Sequence, residues 1–153
     1  MENREPNTIP GWIIAPYKYT IGQVASRFFT EIRDNKRILG IRCLNCGIVF
    51  VPPRSTCNRC FGKLEDWIEV DCRGTLMTYT IVNYPLPVHP VDCPFIYGIV
   101  QLDGADTGLT HLISEVNWQD LRIGMRVQAV FKEKRQGSIL DIKYFKPLSS
   151  NNQ

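Results

Sequence analysis

The stretch Cys43-Leu44-Asn45-Cys46, followed after ten residues by Cys57-Asn58-Arg59-Cys60, contains two Cys-x-x-Cys knuckles. Four thiolates at this spacing supply the soft ligands of a tetrahedral zinc site. The protein then fills every position around the metal, whereas a catalytic zinc keeps one position for water or substrate. The sequence therefore predicts a structural zinc site with four ligands, Cys43, Cys46, Cys57 and Cys60. Iron in the same cage, as in an electron carrier, is the alternative.

The composition of the 153-residue chain, 44% hydrophobic and 22% charged, is typical of a globular protein. No apolar run approaches the roughly 20 residues of a membrane-spanning helix. The proline-containing N-terminal segment lacks the apolar stretch of a secretory signal. Six cysteines without an export signal fit a reducing compartment, so we expect a cytoplasmic protein with Cys72 and Cys93 as free thiols.

An N-terminal arm and an amphipathic helix are predicted over residues 1–37. Residues 1–19 are interpreted as an extended arm whose apolar side chains need covering, either by their own domain or by a partner. Thr20 and Gln23 form a capping-box pattern at the start of the helix. The apolar residues that recur at helical spacing are Ile21, Val24, Ala25, Phe28, Phe29 and Ile32.

Beyond the helix the chain is mainly β. We predict a zinc ribbon over residues 38–66, a five-stranded OB-type barrel over residues 67–147 and a frayed tail over residues 148–153. A strand over 64–70 leads out of the ribbon, and a helical turn is expected near 117–121. Gly74 is expected to form a bulge or a bend. The strands predicted for the barrel are 74–83, 95–102, 108–114, 125–134 and 139–145.

The segment Tyr84–Pro94 contains four prolines and is predicted to form a stiff surface loop between the first two barrel strands. Long loops of such barrels commonly hold ligands or partners. His89 and Cys93 within it have the chemistry of a base and a nucleophile, but the sequence shows no third residue to orient them. His111 lies in an apolar strand and is interpreted as a core or surface histidine with satisfied hydrogen bonds.

Several motifs together resemble one known family, the zinc-ribbon/OB-fold proteins associated with acyl-CoA enzymes. The resemblance extends over about residues 20–147 and is most specific around the cysteines. The residues that carry it are the Phe28-Phe29 helix face, Arg42-Cys43-x-x-Cys46-Gly47, Pro52-Pro53-Arg54-x-x-Cys57-x-x-Cys60, Trp67, Arg73-Gly74-Thr75, Tyr79-Thr80, Gly98 to Asp103, Ile123-Gly124-Met125-x-Val127 and Phe145-Lys146-Pro147.

This resemblance implies an N-terminal helix, a rubredoxin-like zinc ribbon and an OB-fold barrel. It also implies a non-catalytic accessory subunit of a thiolase-type enzyme, which aids assembly and coenzyme A thioester binding in thiolytic cleavage of a 3-oxoacyl-CoA. The partner chain would carry the catalytic cysteine. A narrower resemblance is to the small subunits of thiolases that cleave benzoylsuccinyl-CoA.

Coenzyme A carries phosphates, so a site for it needs cations or free backbone N–H groups. Arg54, Arg59 and Lys63 beside the ribbon are our candidates. A second cluster near the end of a barrel strand consists of Lys132, Lys134 and Arg135. The alternative for each is a solvated surface charge.

A single-stranded nucleic-acid binder is the second functional hypothesis, since OB barrels and zinc ribbons often bind nucleic acids. Tyr79, Tyr97 and Phe131 would be the stacking residues. The net charge of +3 and the pI of 8.6 are low for this class, in which the pI of the domain commonly exceeds about 9. The sequence therefore favours the accessory subunit.

Overall fold

The computed structural model describes Thr8 and residues 17–148. Among these, no helix is long and apolar enough to cross a lipid bilayer. The predicted mainly β class, with an N-terminal helix, a ribbon and a five-stranded barrel, is confirmed. The elements are α1 (Gly22–Asn35), β1 (Ile38–Arg42), β2 (Val49–Phe50), β3 (Asp66–Val70), β4 (Arg73–Val82), β5 (Phe95–Leu102), β6 (Gly108–Ile113), β7 (Arg126–Phe131) and β8 (Ile142–Pro147).

Helix α1 buries Phe28 and Ile32 in the protein's own core, as its apolar spacing predicts. The predicted capping box is wrong. Gly22 has a φ of +79°, so regular helix geometry begins after it, and Thr20 only accepts a hydrogen bond from the Gly22 N–H. The arm lies largely outside the described residues, but Tyr17 and Tyr19 at its end are 80% and 73% exposed. The predicted tail lies outside them beyond residue 148.

The ribbon strands form an antiparallel sheet of order β2-β1-β3. β3 begins at residue 66, where the ribbon was predicted to end. It nevertheless belongs to the ribbon sheet, because it pairs with β1 along its whole length. The free edge of β2 is covered by the loop between β5 and β6. The Val49 N–H donates to the Asp106 carboxylate at 2.8 Å, and the Val51 N–H donates to the Thr107 hydroxyl at 2.7 Å. That hydroxyl donates in turn to the Val51 carbonyl, so the ribbon edge is fastened to the barrel.

The remaining strands form a closed barrel of order β4-β5-β6-β8-β7, in which β7 pairs with β4. The predicted helical turn is confirmed as a 3-10 turn at Trp118–Asp120. The predicted strand 139–145 is wrong at its start, because Ile139–Asp141 forms a second 3-10 turn. The carboxylate of Asp141 stabilises the start of this turn by accepting hydrogen bonds from three successive backbone N–H groups, those of Gln136, Gly137 and Ser138.

Gly74 does not form the predicted bulge. The irregularity in the pairing of β4 with β5 lies between Leu76 and Thr78 instead. Gly74 has a different role, because a Cβ atom at this position would overlap the backbone carbonyl oxygen of Gln101 on the neighbouring strand. The glycine therefore permits close approach of two strands.

One hydrophobic core joins the helix, the ribbon sheet and the barrel. It includes Phe28 from α1, Ile38 from β1 and Phe145 from β8, each almost fully buried. His111 is buried beside this core, so the first of its two predicted locations, core or surface, is confirmed. Its Nδ1 accepts from the Leu112 N–H, which leaves Nε2 to donate to the Ile139 carbonyl at 3.1 Å. Burial lowers the pKa of His111, so the imidazole is held neutral.

Replacing the buried Asp141 tests the origin of the second 3-10 turn. Burial alone would raise the pKa of this carboxyl, but the three N–H donors outweigh burial and the pKa lies below its usual range. The carboxylate therefore stabilises the fold above its unfolded pKa of about 3.9, and this contribution is lost as pH falls through the lower folded pKa. We expect Asp141→Asn to reduce the free energy of unfolding by about 2 kcal/mol at pH 7. Urea unfolding should show the deficit shrinking below about pH 4.

The matched control is Asp120→Asn, which alters an exposed carboxylate that accepts one hydrogen bond from Asn117. It should change stability by less than about 0.5 kcal/mol. An Asp141→Asn deficit of equal size at neutral and acid pH would contradict this role of the carboxylate.

Candidate functional site

The four predicted ligands come together in one cluster. The Sγ atoms of Cys43, Cys46, Cys57 and Cys60 all lie within 4.8 Å of one another. The distance between Cys43 Sγ and Cys60 Sγ is 3.5 Å. A tetrahedral zinc with Zn–S bonds of about 2.3 Å needs Sγ–Sγ distances of about 3.8 Å, so the cage has the right size for the metal.

Each knuckle is folded by the same backbone turn. The Gly47 N–H donates to the Cys43 carbonyl, and the Phe61 N–H donates to the Cys57 carbonyl, at 2.8 and 3.0 Å. Both turn-closing residues have left-handed φ angles, +73° for Gly47 and +58° for Phe61. Glycine adopts this conformation readily, whereas a bulky side chain seldom does. The second knuckle therefore holds an aromatic residue where the first has glycine.

The environment of the second knuckle favours thiolates. Backbone N–H groups are the main cause, that of Gly62 lowering the pKa of Cys60 to about 6 and that of Cys60 lowering the pKa of Cys57. In the first knuckle, the hydrogen bond with Cys60 is the main cause that raises the pKa of Cys46 to about 12. Thiolates are the form of cysteine that binds metal. Because all four ligands come from the protein, the ribbon is a structural zinc site with no position open for substrate.

The three cations proposed for coenzyme A lie around the ribbon. The Arg54 guanidinium stacks over the Phe50 ring, 4.7 Å from its centroid, and so also supports the ribbon core. The Lys63 ammonium pairs with the Glu65 carboxylate at 2.5 Å. Arg59 is exposed beside the second knuckle, and among the described residues its side chain has no ion pair. Arg59 is thus the cation of the three that is most available to a phosphate.

The second basic cluster is divided by the fold. Arg135 is half-buried, and its guanidinium donates to the carbonyls of Arg33 and Lys132 at 2.6 and 2.8 Å, which ties the end of α1 to the loop after β7. Lys134 is exposed in the same loop. Lys132 differs from both, because it lines a cleft in the barrel surface.

That cleft has a volume of about 590 Å³ and lies beside the loop of residues 84–94. Pro90, Val91 and Pro94 of the loop form one wall, as expected for a stiff loop at a binding surface. The exposed Trp118 and Leu140 contribute apolar side chains from the two 3-10 turns. Buried residues that also line the cleft are Phe95, Ile96, Leu112 and Ile113.

Sequence reasoning missed Lys143, the second lysine that lines this cleft. β7 pairs Val130 with Tyr144 and Phe131 with Ile142, so Lys143 is an extra residue in β8. A bulge of this kind redirects a side chain. The register shift depends on how β7 and β8 pair in the closed barrel, and no local sequence signal identifies it.

The structure places His89 near Cys93, with 3.7 Å between Nδ1 and Sγ. Both atoms have other partners, since the Leu86 N–H donates to this Nδ1 and the Cys93 thiol donates to the Tyr84 carbonyl. These bonds stabilise the loop. No carboxylate within residues 17–148 hydrogen-bonds to the imidazole, so the pair lacks the orienting residue of a catalytic triad.

Tyr79 and Tyr97, two of the three aromatic residues proposed for base stacking, do not form a basic platform, and the third, Phe131, packs partly buried against the core. Tyr79 and Tyr97 line a shallow groove with Ile99, and its other lining residues, Thr78, Thr80, Gly98 and Thr110, are also uncharged. The Tyr79 hydroxyl donates to the Leu121 carbonyl. A nucleic-acid groove would need cations beside these rings. This arrangement disfavours the nucleic-acid hypothesis.

A four-cysteine ribbon joined to a closed five-stranded barrel defines the class of zinc-ribbon/OB-fold proteins. Two family models match the chain, the rubredoxin-like zinc ribbon domain of ChsH2 over residues 30–65 and the C-terminal OB-fold domain of ChsH2 over residues 67–132. A DUF35 domain-containing scaffold protein of Methanocaldococcus jannaschii is 30% identical over 81% of this chain and 91% of the relative. The chain belongs to the DUF35 family, which confirms the resemblance seen in the sequence.

Two further relatives extend the comparison. A probable enoyl-CoA hydratase alpha subunit of Thermomonospora curvata is 29% identical over 65% of this chain and 31% of the relative. A chain of the solved Ltp2-ChsH2(DUF35) aldolase superposes with a TM-score of 0.62 at 21% identity, covering 85% of this chain and 98% of that chain. This likeness shows a shared fold. The narrower resemblance to benzoylsuccinyl-CoA thiolases stays a prediction.

Replacing one ligand tests whether zinc binding depends on this cluster and not on the other cysteines of the chain. We expect one zinc per chain, and we expect Cys57→Ser to lose it and to lower the melting temperature by at least about 10 °C. The reason is that Cys57 is buried in the ribbon's own core, and the ribbon sheet in turn packs into the core of the barrel. Metal analysis and thermal unfolding measure both. Cys93→Ser is the control and should keep the zinc, because Cys93 lies outside the cluster. A red, iron-loaded protein would support the electron-carrier alternative instead.

Proposed function

We propose that the chain is a non-catalytic scaffold subunit that assembles with a thiolase-type acyl-CoA enzyme in the cytoplasm. The observation that carries this proposal is the 30% identity, over four-fifths of the chain, to a relative described as a scaffold protein. The relatedness to a probable enoyl-CoA hydratase subunit adds support for acyl-CoA chemistry. The closed metal site and the partners of His89 and Cys93 are consistent with a catalytic cysteine on the partner chain.

The tips of the two zinc knuckles are the proposed contact surface. Leu44 and Phe61 are each 79% exposed, one on either knuckle of the same metal cage. Apolar side chains fixed on a rigid turn lose little conformational freedom when a partner covers them. Helix α1 is a weaker candidate for a contact surface, because Phe28 and Ile32 are already buried in the protein's own core.

Charged substitutions at the knuckle tips test this surface. We expect Leu44→Asp and Phe61→Asp to reduce recovery of the partner at least tenfold, because burying an unpaired carboxylate in an apolar contact is unfavourable. The measurement is native mass spectrometry of the untagged chain from its own organism, with zinc content read from the same sample.

Ile123→Asp, at an exposed apolar position of the barrel, is the matched control and should retain the partner. A chain lacking residues 1–16 tests the contribution of the arm alone, because the deletion leaves the buried residues of α1 in place. If both knuckle variants recover as much thiolase-type partner as the wild-type chain, the proposed contact surface is disproved. Recovery of the wild-type chain alone would disprove the scaffold function.

Coenzyme A phosphates are proposed to bind at the ribbon through Arg54, Arg59 and Lys63. The support is their exposure near one metal cage, in a chain of positive net charge. In the assembled complex we expect Arg59→Met to raise the Kd for coenzyme A about tenfold, because a charge-assisted hydrogen bond is lost. Isothermal titration calorimetry measures this effect. Arg122→Met, an exposed arginine preceding β7, serves as the control. Equal affinities of the Arg59 variant and the wild type would exclude Arg59 from the site.

A further inference from the structure

The cleft beside the loop of residues 84–94 is separate from the proposed coenzyme A residues. None of Arg54, Arg59 and Lys63 lines it. Its volume of about 590 Å³ lies within the range of small-molecule sites, about 300–1,000 Å³. Its buried lining is apolar, and the prolines of the loop hold one wall in place. Such a cleft is suited to an apolar ligand of small-molecule size.

Two lysines give the cleft a specific electrostatic character. Lys132 at the end of β7 and the bulged Lys143 of β8 both line it. Within residues 17–148, neither ammonium group is in an ion pair, and the Lys143 Nζ lies 5.2 Å from the centre of the Tyr144 ring. In a regular ladder the Lys143 side chain would follow the alternation of the strand. Its position in the cleft therefore depends on the bulge.

The acidic residues of the cleft do not cancel both lysines. Glu115 accepts a hydrogen bond from the Tyr144 hydroxyl and pairs with Lys146 at 3.3 Å, so its charge is already balanced. Asp92 lies on the exposed loop that forms one wall, and within residues 17–148 it forms no ion pair with either lysine. The charges of Lys132 and Lys143 still act on the nearby carboxylates of Asp141 and Glu115. The cleft therefore combines an apolar lining with two lysines that form no ion pair within residues 17–148.

We propose that this cleft binds an amphipathic anion of small-molecule size, whose apolar body contacts the buried lining and whose anionic end pairs with Lys132 and Lys143. Both carboxylates and phosphates have the required chemistry. The anion must carry its charge close to the apolar group, because the lysines line the same cleft as the buried side chains. This site goes beyond the proposed scaffold function and does not depend on it.

The test is isothermal titration calorimetry on the full-length, zinc-loaded chain without any partner. The probes are decanoate, decyl phosphate and uncharged decanol, each below its aggregation concentration. We expect saturable binding of one anion per chain, with decanol at least tenfold weaker. The comparison of decanoate with decyl phosphate identifies the preferred anionic group. Lys132→Met and Lys143→Met should each raise the Kd of the preferred anion about tenfold.

Lys134→Met is the matched control, since Lys134 is exposed in the same loop as Lys132 but does not line the cleft. Val91→Asp places a carboxylate on an exposed part of the cleft wall and should abolish binding without unfolding the chain, which circular dichroism checks. The proposal is overturned if neither anion binds saturably, if decanol binds equally well, or if Lys134→Met weakens binding as much as the two cleft variants. Partner recovery by the same variants is measured separately, so failure of this site and failure of the scaffold function are distinguishable.

Discussion

The hydrogen bonds between β2 and the loop that contains Asp106 and Thr107 join the two modules of the molecule. β2 is a two-residue edge strand, and such a strand cannot hold a position by itself. Its outer backbone groups pair with the barrel loop, while its inner side pairs with β1 next to the first knuckle. The ribbon sheet and the barrel therefore cannot separate without exposing unpaired backbone groups and the core that they share.

The division of roles follows from this arrangement. The metal supplements the small hydrophobic core that a ribbon of about thirty residues can build, so its chemistry is used for folding. Features able to recognise other molecules lie at the periphery, on the knuckle tips and in the barrel cleft. The exposed side chains at these places, such as Leu44, Phe61 and Val91, can therefore be changed in an experiment without altering the buried core.

Local patterns in the sequence were enough to predict the metal ligands, α1 and the five barrel strands. The paired knuckles have a spacing that few other structures use, and the strands alternate in the expected way. Features that depend on tertiary pairing were not predictable. The 3-10 turn at residues 139–141 depends on where the Asp141 carboxylate lies. The strand irregularity lies between Leu76 and Thr78, whereas Gly74 permits close approach of two strands. Lys143 was missed for the same reason, since the bulge exists only once β7 and β8 have paired.

Phe61 shows how a side chain can be present for reasons other than folding. Its left-handed backbone is unfavourable for a bulky residue by roughly 1–2 kcal/mol relative to glycine, and with most of its ring in solvent it gains little from packing. A glycine would close the second knuckle at least as well, as Gly47 closes the first. The ring is therefore an addition that the metal turn can accommodate because the thiolate cage fixes the backbone. It follows that the surface chemistry of this knuckle can vary independently of its capacity to bind zinc.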